Sequence, residues 1–269
     1  DSSVSALLLK EQGYKVIGVY MKNWSRDLPG MKCPWAEDLA DAKRVAVRLG
    51  IDFEVWDFED AYREKVVDYM LEEFCKGNTP NPDVMCNQEI KFKLFYEKAI
   101  ERGADFIATG HYARIIDGKL ARAVDENKDQ TYFLSQLTQA QLSKTLFPVG
   151  ELQKSEVREI AEKIDGFVAK KGDSQDICFI PDGDYASFIK KETGEEFAPG
   201  NFVDVEGNVL GQHKGIIHYT VGQRKGLGLS FDSPRYVCSK CADSNTVVLG
   251  KEPLLFSKSL DCTDLNLIA

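Results

Sequence analysis

The strongest restriction on the fold of this 269-residue chain is the alternation of helical and strand-like patterns from Val4 to Tyr112. Val4, Leu7 and Leu8 share one helical face that Gly13 terminates, and Lys15 to Tyr20 reads as a buried strand. A helix from about Ala36 to Leu49 buries Leu39, Ala42, Val45, Ala46 and Leu49 before Gly50 ends it. Ile51, Phe53 and Val55 then alternate with Asp52 and Glu54 as a strand, a helix covers about Tyr62 to Cys75, and a short strand runs from Asp105 to Tyr112. Elements of this length in this order imply a mostly parallel, doubly wound α/β sheet, in which ligands bind beyond the carboxyl ends of the strands. Met21, Gly110 and His111 fall at such ends.

The link after Cys75 contains Thr79-Pro80-Asn81-Pro82-Asp83-Val84-Met85-Cys86-Asn87. Its two prolines fix φ and disfavour helix in the residues before them, so a stiff loop is expected that ends where a helix begins. Phe92, Phe95, Tyr96, Ala99 and Ile100 recur at helical spacing up to Gly103. Cys86 is thereby expected near a helix N-terminus, where the macrodipole favours thiolate over thiol, with the Asp83 carboxylate three residues upstream. A buried structural cysteine is the competing reading. A hydrogen-bonded loop histidine competes for His111, and simple helix capping competes with anion binding for Asp1-Ser2-Ser3.

Further along, Tyr112 to Ile116 and Lys119 to Ala123 flank Asp117-Gly118, a hairpin signal, and the polar Asn127 to Gln130 cluster runs into aromatic residues. Asp173-Ser174-Gln175-Asp176-Ile177-Cys178-Phe179-Ile180-Pro181 places a thiol between a polar run and an apolar segment closed by proline. Beyond Pro199-Gly200 the pattern turns to strands, with a turn at Gly207, a Gly-rich basic loop from Thr220 to Leu229, and a hairpin across Asp243-Ser244-Asn245. Cys238 and Cys241 have the spacing of half a zinc knuckle, but only Cys262 follows, so no metal site is assigned to them.

With 43% hydrophobic and 29% charged residues the chain has a soluble globular balance, and no run is long enough to span a membrane. Seven cysteines without framework spacing fit a reducing, cytoplasmic setting with thiols used singly or in pairs. A net charge of -9 requires any nucleic-acid partner to meet a local basic patch, for which Lys91, Lys93, Lys170, Lys171, Arg224 and Lys225 are candidates. The chain opens on Asp without a leader and ends on an apolar segment, so it is expected to begin inside a structural element and to stop before its last domain is complete.

The segments Asn81 to Asn87, Ala108-Thr109-Gly110-His111-Tyr112, Lys128-Asp129-Gln130, Asp173-Ser174-Gln175 with Ile177 to Pro181, and Tyr219 to Gly228 together resemble the tRNA-specific 2-thiouridylase family, in the family's order and across most of the chain. The resemblance implies a Rossmann-like adenine-nucleotide α-hydrolase (PP-loop) catalytic domain over 1–191, a small central domain over 192–229, and a partial C-terminal β-barrel over 230–269. Asp1-Ser2 matches the last part of the family's pyrophosphatase loop, so its first strand and glycines are expected to precede this span.

The implied activity is ATP-dependent 2-thiolation of the wobble uridine (U34) of Lys-, Glu- or Gln-type tRNA, with Mg²⁺ neutralising phosphate charge. Asp1, Ser2, Met21 and Gly110 match positions at the nucleotide. Cys178 matches the persulfide carrier and Cys86 the second catalytic cysteine, which leaves a Cys86–Cys178 disulfide. Asp83 matches the acid/base. Asn81, Pro82 and Asp83 match the pocket of the target base, and His111, Lys128, Asp129 and Gln130 match tRNA-contacting positions. A persulfide sulfur-donor protein and a thiol reductant are the further partners implied. An ATP-dependent ligase is the alternative within the same fold, although it needs no redox-active thiols; a non-catalytic RNA-binding or redox-sensing protein is the alternative outside it.

Overall fold

The computed structural model describes residues 1–26, 35–172, 179–180, 183–263 and 265–268. They form two units: residues 1–66 with 82–179 and 265–269, and residues 67–81 with 180–264.

The first unit begins with helix α1 (Ser2–Glu11). Gly13, at φ +91, makes the left-handed turn that lets the chain leave the helix. Strand β1 (Ile17–Lys22), helix α2 (Trp35–Leu49) and strand β2 (Asp52–Asp57) follow, and β1 and β2 pair in parallel from Ile17↔Asp52 to Lys22↔Asp57. A second parallel pair joins β3 (Ile107–Ala108) to β6 (Thr145–Leu146). Between them lies the hairpin of β4 (Ala113–Ile116) and β5 (Lys119–Arg122), turned by Asp117 and Gly118 at φ 50 and 73, the left-handed pair that a two-residue turn of this hand demands.

The core behind these strands gathers Val4 of α1, Val45 and Leu49 of α2, Val149, and Val157, Ala161 and Ile164 of the Lys154–Ile164 helix. Complete burial of a Val, Leu or Ile side chain stabilises by about 1.5–3 kcal/mol, so this apolar contact is what holds helices on the sheet. Charge then fixes register: buried Asp165 accepts from Arg44 of α2 at 2.7 Å and caps the Gly166–Lys170 helix through the Phe167 and Val168 amides. The Arg44 guanidinium holds the Asp165 carboxyl below its ordinary range.

Two longer helical stretches carry π-wound turns. One, over 59–75, is widened at Arg63–Asp68; the other, over 82–101, at Cys86–Phe95. Such turns shift side chains around the helix axis and recur at functional positions.

The second unit is built on a four-stranded sheet in the order β8-β7-β10-β9, with β7 Gly200–Val203, β8 Val209–His213, β9 Tyr236–Cys241 and β10 Thr246–Gly250. β7 and β10 run parallel while the flanking pairs are antiparallel, so strands from both sides of residue 229 share one sheet. Phe202, Val237, Val247 and Leu249 are fully buried in its core. The sheet is open, and no closed barrel forms among the described residues. No helix of the described residues is long and apolar enough to cross a membrane.

Candidate active site

The helix bearing Cys86 starts at Pro82, one turn earlier than the two prolines predict. Proline suits the first helical position, because its missing N–H would have no helical partner there and its φ is already set. Asp83 thus occupies the first turn, and Cys86, Asn87 and Ile90 follow on the side turned into the protein. Cys86 is a free thiol with 8% of its surface exposed.

This burial reverses the expected titration. Desolvation pushes the Cys86 thiol above its ordinary value, the Lys91 ammonium pulls it down, the Asp83 carboxylate adds to the rise, and a hydrogen bond from the Tyr62 hydroxyl opposes it. The macrodipole argument fails because Cys86 sits a full turn inside the helix, where the surrounding apolar packing outweighs the helix-end field. Desolvation also raises the Asp83 carboxyl, against the pull of Lys91. Both shifts run toward the proton-bearing forms, and the arrangement sets a thiol beside a carboxyl that can exchange a proton with it.

Asn87, 3% exposed, donates through Nδ2 to the Phe133 carbonyl at 3.2 Å, tying the thiol helix to the Thr131–Leu134 turn. Its Oδ1 has no hydrogen-bond partner among the described residues. His111 lies one step further in. Its ring packs against Phe92 and Phe147, its Nδ1 is 2.8 Å from Thr109 Oγ1, and burial followed by the Lys91 charge lowers its pKa well below 6.5. A neutral, buried imidazole makes His111 a wall of the site rather than an exposed cation. Lys91 acts on Cys86, Asp83 and His111 together, a centrality that its place among several candidate surface lysines did not reveal.

Gly110, the residue before His111, lies against the start of α1. A Cβ on Gly110 would fall 2.7 Å from the Ser2 amide nitrogen and 2.8 Å from the Asp1 Cβ, so glycine alone permits this approach. Asp1, Ser2 and Gly110, all matched by resemblance to the nucleotide site, are thus brought together. Asp1 makes no side-chain cap for α1. Its carboxylate instead accepts from the Tyr112 hydroxyl at 2.9 Å and from Lys154 Nζ at 2.8 and 3.0 Å. A helix N-terminus without a side-chain cap, next to a lysine, is a ready anion site. Met21 stands at the end of β1 opposite Trp56.

Lys154 and Tyr62 were missed by sequence reasoning: one opens a helix 153 residues from Asp1, the other looks like any core aromatic, and no spacing rule marks either. The Lys128-Asp129-Gln130 cluster proves to be a clip. Asp129 accepts from the Ala123 amide and the Thr131 hydroxyl, Gln130 exchanges two hydrogen bonds of 2.9 Å with the Tyr112 backbone, and the Lys128 amide closes a turn on Asp125. Asn81 is the last residue of the second unit's 67–81 segment, and buried Pro82 begins the thiol helix. Cys178 lies outside the described residues.

A family profile described as tRNA methyl transferase HUP domain matches residues 1–182, and one described as tRNA methyl transferase PRC-barrel domain matches residues 186–251. The chain is 48% identical over 279 residues to the tRNA-specific 2-thiouridylase MnmA of Clostridioides difficile strain 630, covering all of this chain and 77% of that protein. It is 48% identical to the protein of that name from Carboxydothermus hydrogenoformans, covering 76% of it, and 49% identical to that of Clostridium kluyveri, covering 78%.

Proposed function

The chain belongs to the tRNA-specific 2-thiouridylase family, and from that premise we propose that its buried Cys86 and the persulfide-bearing Cys178 deliver sulfur to C2 of the wobble uridine, U34, of Lys-, Glu- or Gln-type tRNA. The protein is a tRNA-modifying sulfurtransferase with an ATP-binding domain. The observation that carries the reading is the presence, in one unit, of a thiol–carboxyl pair and of a helix N-terminus that Gly110 closes upon. The family profiles speak of methyl transfer and the relatives of thiolation; the relatives match over the whole chain, and a thiol, Cys86, stands at the site.

Uracil O2 is a poor leaving group, and ATP supplies a better one: once O2 is adenylated and pyrophosphate released, C2 is electrophilic. The uncapped amides at the start of α1, with Ser2 and Lys154, would hold the phosphates, and Gly110 and Met21 would line the adenine side. Among the described residues no cluster of three or more His, Cys, Asp or Glu side chains could hold a metal ion, so Mg²⁺ would be bound mainly through the nucleotide phosphates, with Asp1 at hand.

Sulfur transfer then balances in two steps. The terminal sulfur of the Cys178 persulfide forms a bond to C2, and AMP leaves with the C2–O2 electron pair. Cys86, losing its proton to Asp83, attacks the Cys178 sulfur and breaks the sulfur–sulfur bond; 2-thiouridine leaves with that electron pair, and a Cys86–Cys178 disulfide remains. Two thiols are oxidised and the transferred sulfane sulfur is reduced. An external thiol reductant resets the pair, and a cytoplasmic persulfide protein reloads Cys178.

The test is thiolation of an unmodified tRNA-Glu or tRNA-Lys transcript with Mg-ATP and a persulfide donor, followed by mercury-gel retardation. The reading predicts a retarded band that requires ATP and is lost in Cys178→Ala. An ATP-dependent product without mercury retardation, or a methylated base when a methyl donor is added, would overturn it.

A further inference from the structure

A chain of net charge -9 can meet RNA only where cations are left uncovered, and the six basic residues that charge singles out are not alike. Lys93 is paired with Glu89, Lys170 with Glu162, and Lys171 with Asp38 and Asp41, while Lys91 acts on Cys86, Asp83 and His111. Arg224 and Lys225 form no ion pair among the described residues, and both are exposed on the Gly-rich loop of the second unit. That loop is held in shape. Gln223 accepts from the Thr220 amide and donates to the Lys225 carbonyl, each at 3.0 Å. The Gly222 amide donates to the Val237 carbonyl of β9 at 2.8 Å, and the Val237 amide returns a bond to the Gln223 carbonyl at 2.9 Å.

β9 is an edge strand, and Lys240 stands on it opposite Val247, so its side chain leaves from the face that carries completely buried Val247. The stem is half-buried and the ammonium emerges to donate to Thr79 Oγ1 at 3.2 Å; Thr79 Oγ1 is in turn 3.4 Å from Thr220 Oγ1. Three separate segments of one unit thus bring an ammonium and two hydroxyls of exposed residues to a point. No carboxylate pairs with Lys240 among the described residues, and burial lowers its pKa. A half-buried cation whose partner is a hydroxyl carries a desolvation cost that an anion would offset. An inward charge on an edge strand also discourages edge-to-edge pairing, but that task needs neither hydroxyl.

We propose that Lys240, Thr79 and Thr220 seat a backbone phosphate of the RNA, with Arg224 and Lys225 extending the positive surface along the same loop. An ammonium and hydroxyls side by side can donate to separate oxygens of one phosphate, and the charge-assisted bond is stronger than the one Lys240 makes to Thr79. Phosphate contacts fix register without reading bases, so the seat positions the RNA rather than choosing it. The inference rests on the thiolation reading for the identity of that RNA. On that reading Asn81 meets the target base, and it follows Thr79 by two residues, at most about 7 Å of chain, so the phosphate held is one close to U34.

The experiment measures equilibrium binding of an unmodified tRNA-Glu transcript to the full chain by filter retention, from about 50 to 200 mM KCl, with neither ATP nor a sulfur donor present. Lys240→Met keeps the apolar stem and removes the charge. It is expected to weaken binding about five- to tenfold and to flatten the slope of log affinity against log salt by about 0.7–0.9, the change for one phosphate contact. Lys240→Arg should stay within about twofold, and a transcript with C34 should lose as much as one with U34. Thr220→Val removes a hydroxyl and no charge, so a loss of about two- to threefold with an unchanged slope is expected. Lys93→Met, which removes a lysine already paired, should stay within about twofold. Wild-type affinity in Lys240→Met, or in Thr220→Val where the lysine variant fails to fold, overturns the proposal; a seat for free phosphate alone would give that result. Weaker binding with an unchanged slope in folded Lys240→Met overturns it too, because a mere tether of Thr79 would behave so. Failure of the thiolation assay with these binding responses intact would instead remove the thiolation reading and leave the phosphate seat in place.

Discussion

Two cysteines of this chain stand in opposite surroundings. Cys86 is buried behind the first turn of a helix, with its thiol raised by desolvation; Cys241, at the end of β9, is exposed, and the Ser244 hydroxyl followed by the Ser244 amide lowers its thiol. By acidity alone Cys241 is the better nucleophile at neutral pH. Yet Cys86 is the one surrounded by groups that can act with it: a carboxyl, a phenol and an ammonium, all held by the same two helical stretches. Acidity marks where a thiol reacts with anything that arrives, whereas an organised set of neighbours marks where it reacts with one partner on demand. Keeping Cys86 protonated until it is needed also protects it from oxidation.

The largest effect that could break this contrast is on turnover. Cys86→Ala is expected to lower tRNA thiolation with a persulfide donor by more than about a hundredfold, the usual scale for losing a nucleophile, while Cys241→Ala stays within about twofold. Mercury-gel rates of the two variants side by side decide it, and equal losses would mean that the exposed thiol takes part. Next in size is reactivity toward a small reagent. At pH 7 iodoacetamide should modify Cys241 at least about tenfold faster than Cys86, because thiolate fraction and access both favour the hairpin. Peptide-level labelling that finds Cys86 ahead would contradict the buried, protonated thiol.

A smaller change sharpens the account of why Cys86 is neutral. Asp83→Asn removes the carboxylate that adds to the rise of the Cys86 thiol and leaves Lys91 in place, so the pH midpoint of Cys86 labelling should fall while thiolation also falls. A gain in thiolate accompanied by loss of turnover would separate the proton-transfer role of Asp83 from its field. If both rose, Asp83 would be merely an inhibitory charge.

Local chemistry made much of this legible in the sequence. Asp117-Gly118 and Asn245 sit where positive φ is required, and Pro82 marks the helix start to within a turn. Gly110 fell at a strand end by the element order alone, whereas Asp1 and Ser2 were tied to the nucleotide only by the family resemblance. What stayed hidden depends on contacts between distant segments. The direction of the Cys86 shift is set by packing, against the pull of Lys91 and of Tyr62, 24 positions upstream, and the Asp1 partner Lys154 comes from another helix altogether. The parallel pairing of β7 with β10 across more than forty residues is equally invisible to periodicity, which reports a strand but not its neighbour. The Lys128-Asp129-Gln130 cluster likewise gave no sign in the sequence that Asp129 and Gln130 accept from the distant Ala123 and Tyr112 amides.

The subtlest expected difference between the two thiols lies in stability. Burial raises the Cys86 pKa above 9.0, so the folded state keeps that proton to a higher pH than the unfolded chain does. Below the unfolded value both states are protonated and Cys86 contributes no pH dependence. As pH rises from there toward the folded value, the unfolded chain releases its proton first, and stability falls by at most about 1.4 kcal/mol per pH unit. Cys241 is shifted the other way and is exposed, so it adds no loss in that window. Lysines and tyrosines titrate in the same range and obscure a single curve. The slopes of wild type and Cys86→Ala between pH 8 and 10.5 cancel that background, since both carry the same lysines and tyrosines. In urea unfolding the wild type should lose stability more steeply, whatever constant offset the alanine cavity introduces. Parallel slopes would mean that the Cys86 thiol ionises as readily folded as unfolded, and that its neighbours, not its burial, dominate its chemistry.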